Sequence, residues 1–118
     1  MQNPVFDKLV TQLTALLGVP RSLVNNNGTR FLRNGSVTVY HTEVATGNQA
    51  EIAFNIQPVA SRFGVAPQAL IDVITECEVM TGCEVEHNKQ QDWPRIGIAD
   101  DDHVALVVQK LSSLFKKA

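Results

Sequence analysis

The sequence predicts an α+β fold in the order α-β-β-β-α-β-β-α, a twisted antiparallel sheet packed by helices within a single domain spanning residues 1–118. Three observations predict it. Apolar residues recur at helical spacing near both ends of the chain and again across Ala66 to Gly82, whereas from Thr29 to Gln57 the period is two. Asn34-Gly35 and Gly47-Asn48 fall between the alternating runs, where tight hairpin turns require residues that accept positive φ. With 118 residues, 44% of them hydrophobic, the chain can build one core without staples, and a second domain does not fit.

In order along the chain, Pro4 to Leu17 carries Val5, Phe6, Leu9, Val10, Leu13, Leu16 and Leu17 on one helical stripe, after Asn3 as a cap and before Gly18 as a stop. Asn25-Asn26-Asn27-Gly28 is a turn cluster that no regular element should cross. Arg30 to Arg33 forms a short strand, Asn34-Gly35 suits a type I′ turn, and Ser36 to Val44 forms a longer strand. A second turn at Gly47-Asn48 makes Thr46 face Gln49 and leads into a strand from Ala50 to Gln57. Val37, Val39 and His41 then share the core face with Ile52, Phe54 and Ile56, while Thr38, Tyr40, Thr42, Glu51, Asn55 and Gln57 make a polar reverse face. Pro58 ends the sheet run, and Val59 to Phe63 can make one helical turn. Pro67 and Gly82 then suit the start and stop of a helix of about four turns. Cys83 to His87 alternates as a strand, Asn88 to Pro94 loops around Trp93, and Arg95 to Ala99 is another strand. Asp100-Asp101-Asp102 caps a last helix whose Val104, Val107, Val108, Leu111, Leu114 and Phe115 form one stripe, with Lys116-Lys117 opposing the dipole at its end.

The helix across Ala66 to Gly82 organises the rest. Its apolar arc spans roughly 200 degrees, wider than one-sided packing requires. A second contact is therefore expected, and Leu70, Ile71, Ile74, Cys77 and Met80 are the expected interface of a homodimer.

Charge and motif content narrow the function. The net charge is −2, yet Asn34 to Glu86 holds seven acids against Arg62 alone. That field repels phosphate backbones and favours a neutral or basic polypeptide, so no nucleic-acid partner is expected. Cys77 and Cys83 form neither a CxxC pair nor a known zinc spacing with His87, so reduced thiols and no metal are expected. The longest uninterrupted apolar run is Val104 to Val108, and the MQNPVFDKLV start has no signal-peptide pattern, so a soluble cytoplasmic protein without a membrane partner is expected. Neither GxSxG, a P-loop nor GxGxxG occurs, which argues against catalysis and against any cofactor. His41 reads as a core or rim histidine, His103 as solvated, and Glu84 with Glu86 as an exposed acidic face. Residues 58–76 match the spacing of a helix-turn-helix, with Ala60 packed, Gly64 in the turn, and Leu70 and Val73 buried. A DNA-binding regulator is thus the alternative function, but the second helix offers Gln68, Asp72, Thr75, Glu76 and Glu78 without Lys or Arg.

The leucine-rich first helix ending Leu16-Leu17-Gly18-Val19-Pro20, the Asn27-Gly28 turn into Phe31-Leu32, and the Asn34-Gly35-Ser36-Val37 hairpin, in this element order, resemble the class I type III secretion chaperones, the Tir-chaperone-like family. The resemblance runs from about Phe6 to Phe115. It implies a homodimer built through the helix Pro67 to Thr81 and a non-enzymatic role, holding the N-terminal segment of a secreted effector in extended form. The client-contacting residues it implies are Phe6, Leu9, Val10, Leu13, Leu32, Val37 and Val39.

Overall fold

A computed structural model describes residues 4–20, 22–24, 28–32, 37–41, 49–83 and 94–116, with no side-chain description for residues 22–24, 41 and 116. Its elements run α1 (Pro4–Leu17), β1 (Ser22–Val24), β2 (Gly28–Phe31), β3 (Val37–His41), β4 (Ala50–Phe54), α2 (Ile56–Phe63), α3 (Pro67–Thr81), β5 (Arg95–Ile98) and α4 (Asp101–Lys116). The five strands form one antiparallel sheet in sequence order. The fold is α+β, as the sequence predicts, with an additional strand before the first predicted one. The strand expected over Cys83 to His87 lies outside the described residues beyond Cys83, which is in no strand, and so do the loop around Trp93 and the turns at Asn34-Gly35 and Gly47-Asn48.

Helix ends follow the sequence closely. Gly18 and Gly82 take left-handed φ, and their amides donate to Thr14 O and Glu78 O. Pro67 occupies the first turn of α3, where its missing N–H costs no hydrogen bond. Asp100 Oδ1 accepts the His103 amide at 3.0 Å, capping α4.

Strand ends differ from expectation in three places. The third predicted strand stops at Phe54, because Asn55 is the extended N-cap of α2 and Pro58 fits the first turn of that helix. The single turn expected from Val59 is therefore an eight-residue helix. Pairing Thr46 with Gln49 would place Val39 opposite Ile56; the observed partner is Ile52. A slip of four, an even number, leaves Val37, Val39, Ile52 and Phe54 on their predicted face, all buried. The first hairpin behaves differently: a two-residue turn at Asn34-Gly35 would set Phe31 against Thr38, whereas Phe31 pairs with Val37. This odd slip brings two buried side chains together, and it is accommodated by Leu32, which takes φ 66°.

One core forms between the sheet and the helices. Phe31, Val37, Val39, Ile52, Phe54, Ile96 and Ile98 meet Leu9 and Leu13 of α1, Leu70 and Cys77 of α3, and Val104, Val107 and Leu111 of α4, all buried. The polar reverse face of the sheet is partly closed within the chain. Thr38, Glu51 and Ala53 are buried there. Arg95 bonds Glu51 at 2.9 Å and lies 4.4 Å from the Tyr40 ring centre, so a charge pair and a cation–π contact close over the middle of that face.

Candidate interaction surfaces

The packing sorts the expected site residues. Leu70, Ile74 and Cys77 of the expected dimer interface are buried in the subunit's own core, so they are unavailable to a second copy. The reason is coverage from several sides, since α3 packs against α2, β5 and α4 at once. Ile71 and Met80 remain exposed, at 37% and 54%, and Val79, which the sequence reading did not single out, is 75% exposed. At about 100 degrees per residue, Ile71 and Met80 fall on opposite flanks of α3, with Val79 between them on the outer face. Thr75, Asp72 and Glu76 fill the rest of that face. The exposed apolar side chains of α3 are scattered among polar ones rather than gathered into a plate.

The expected client contacts are also mostly interior. Phe6, Leu9, Leu13, Val37 and Val39 are buried, and Val10 and Leu32 are partly buried against the same core. Their periodicity was that of core residues, and an amphipathic stripe carries no mark that separates core from pocket. A client cannot reach the five buried positions without opening the fold.

Backbone geometry offers a different surface. β1 is the terminal strand of the sheet, and among the described residues it pairs only with β2, through Ser22 with Arg30, Leu23 with Thr29, and Val24 with Gly28. The outward main-chain groups of a terminal strand are a template for another extended segment. Just upstream, Val19 is 78% exposed. No sequence signal marked β1, since Ser22-Leu23-Val24 is too short for a period.

Electrostatics soften the acidic middle of the chain. Glu51 is neutralised by Arg95, and Glu76 of α3 accepts from Lys110 Nζ of α4 at 2.6 Å. The carboxylate beside it holds the Lys110 ammonium above its usual value. Asp72 accepts a hydrogen bond from Gln68 at 2.9 Å. Two of the seven acids are thus balanced by bases from the last quarter of the sequence.

α2 and α3 do form a helix pair with the spacing of a helix-turn-helix. Gly64 takes φ 66°, Val65 donates to Ala60 O at 3.0 Å, and Val59, Ala60 and Leu70 are buried between the helices and the sheet. The outer face of α3 nevertheless presents Gln68, Asp72, Thr75 and Glu76, and no base. Arg62, at the end of α2, lies 5.9 Å from the Phe63 ring centre.

Cys77 is buried, and desolvation, reinforced by Glu76, pushes its thiol from 9.0 to about 11. Cys83 is half-buried just beyond α3; burial raises its thiol too. Its sulfur lies 3.7 Å from His103 Nδ1. His103, expected in solvent, is instead packed at the start of α4 with its side chain 19% exposed. The side chain of His41 and all of Glu84, Glu86 and His87 lie outside the described residues. Among the described residues no three His, Cys, Asp or Glu side chains converge as a metal site, and no helix is long and apolar enough to cross a membrane. The described residues include an open groove of about 310 Å³ between α1 and α4, lined by Lys8, Gln12, Val104 and Val108, and another of about 460 Å³ beside Pro4, Val5 and Asp100 to Asp102.

No family model matches the chain, and neither a curated protein nor a solved structure is found to be similar to it.

Proposed function

We propose that the chain is a non-catalytic polypeptide-binding protein of the secretion-chaperone type, acting in the cytoplasm as a homodimer on an extended segment of a secreted protein. The observation that carries this reading is β1, a terminal strand paired on one side only among the described residues. An extended client adds there as a further strand, with main-chain hydrogen bonds supplying affinity. This moves client recognition away from the buried side chains of α1 and β3 and onto backbone. The dimer contact moves likewise, from Leu70, Ile74 and Cys77 to the exposed Ile71, Val79 and Met80. Those three side chains are too few for a stable interface of about 800 Å² per partner, so flanking polar groups must complete it.

The test is hydrogen exchange on the intact protein, alone and with the N-terminal segment of a secreted protein that co-purifies from the native cell. The amides of Ser22 to Val24 should gain protection when the segment binds. Protection confined to other strands, or binding only of a folded client, would overturn the reading. Light scattering should return twice 12.9 kDa, and Val79→Asp should return one chain mass.

A DNA-binding regulator is the second reading, favoured by the α2–Gly64–α3 geometry. It requires binding that falls steeply with salt, because phosphate contacts release counterions. With no base on the outer face of α3, no binding is expected at ~150 mM salt, where specific DNA-binding proteins still bind.

A further inference from the structure

His103 stands where three elements meet. Its Nδ1 accepts the Ala99 amide proton at 3.0 Å, just past the end of β5. The sulfur of Cys83, just past the end of α3, lies 3.7 Å from the same nitrogen. On the other side of the ring, Nε2 lies 3.9 Å from Asp100 Oδ2, while Asp100 Oδ1 holds the His103 amide at the start of α4. A ring nitrogen that accepts an amide proton carries no proton of its own, so this arrangement belongs to the neutral ring with its hydrogen on Nε2.

We propose that His103 is a proton-operated latch at this junction. The neutral ring ties Ala99 to α4 and faces Cys83. Protonation takes up one proton from water at Nδ1, turns both ring nitrogens into donors and removes the acceptor that Ala99 N–H uses; no bond between heavy atoms changes. The imidazolium loses the Ala99 contact and keeps its Nε2–H toward the carboxylate of Asp100, within 4 Å, where the added positive charge strengthens the attraction. The titratable groups against the ring among the described residues are the Cys83 thiol from the α3 end and the Asp100 carboxylate at the cap; Asp101 and Asp102 lie beside it in sequence on α4, and Lys8 of α1 pairs with Asp101 at 3.4 Å. The latch does not depend on any client.

Nitrogen-detected NMR of the intact protein tests it. At about pH 8 the His103 ring should be the Nε2–H tautomer, and between about pH 8 and about pH 5, the span in which histidine changes charge, the protection factor of the Ala99 amide should fall roughly tenfold, the loss of one hydrogen bond of about 1–1.5 kcal/mol. The amide of Ile52, inside the sheet, is the control and should not follow. His103→Asn keeps an acceptor oxygen without a titrating ring, so Ala99 should stay protected at both pH values. An Nδ1–H tautomer at pH 8, or an Ala99 protection factor that tracks Ile52 through the titration, would overturn the latch. The tautomer is read on the unsubstituted protein, so the test survives a variant that does not fold.

Discussion

Gly28 shows how one missing side chain sets a strand pair. It lies in β2 opposite Tyr40, and a Cβ built on it would come within 2.0 Å of Val39 O, a backbone atom that cannot turn aside. The glycine is needed for close approach, not for positive φ. Gly28→Ala should therefore destabilise the protein by about 3 kcal/mol or more, within the range for forced backbone clashes, as a lowered denaturant midpoint would report. Across the sheet, Arg95 and Glu51 form a pair whose side chains are 19% and 8% exposed. Arg95→Met would leave the Glu51 carboxylate buried without this partner, and breaking a buried pair from one side costs about 3–5 kcal/mol. Denaturant unfolding measures the loss; an equal loss in Arg95→Lys, which keeps the charge, would mean that packing over Tyr40 matters more than charge.

At the scale of elements, α3 is one helix with two unequal sides. Leu70 is fully buried against the sheet and Ile71, its neighbour in sequence, is 37% exposed. Leu70→Ala should cost about 2–5 kcal/mol, the range for truncating a buried leucine. Ile71→Ala should change the stability of the single subunit by no more than about 0.5 kcal/mol, as exposed positions do. Thermal unfolding at low protein concentration measures both. If Ile71→Ala also lowers stability in proportion to protein concentration, its methyl groups are covered by a second copy. The same helix explains why Cys77 and Cys83 differ: Cys77 faces inward from the third turn, whereas Cys83 follows the Gly82 stop and meets α4.

For the whole molecule, alkaline stability follows from that burial. Folding raises the Cys77 thiol from 9.0 to about 11, so the folded state holds its proton more tightly than the unfolded state. Its contribution is complete below about pH 9 and is lost as pH rises toward about 11. Stability measured across this window should fall more steeply in the natural protein than in Cys77→Val, which fills a similar volume without a titrating group. Equal slopes would place the alkaline loss elsewhere.

Much of this architecture was written in local chemistry. Pro67, Gly82 and Gly18 mark helix ends because backbone sterics act within a few residues, and the alternation in β3 and β4 fixed their faces even though the hairpin register was displaced. The stripe of α4 was legible for the same reason: Val104, Val107, Leu111 and Phe115 repeat at the helical period and all four are buried. Period reveals which side of an element is apolar. It says nothing about how many neighbours will cover that side, so Leu70, Ile74 and Cys77 read as a surplus when they are core; Phe6, Leu9 and Leu13, which the resemblance implied as client contacts, are packed in the same core. Contacts between residues far apart in sequence were likewise invisible. The Glu51 to Arg95 pair spans 44 positions and the Cys83 to His103 contact spans 20. The sequence by itself determined the elements, their faces and the α+β class, since these depend on short-range sterics and hydrophobic period. Only the tertiary structure decided which apolar residues stay exposed, which charges are neutralised and where His103 lies, because those are properties of what the folded chain brings alongside.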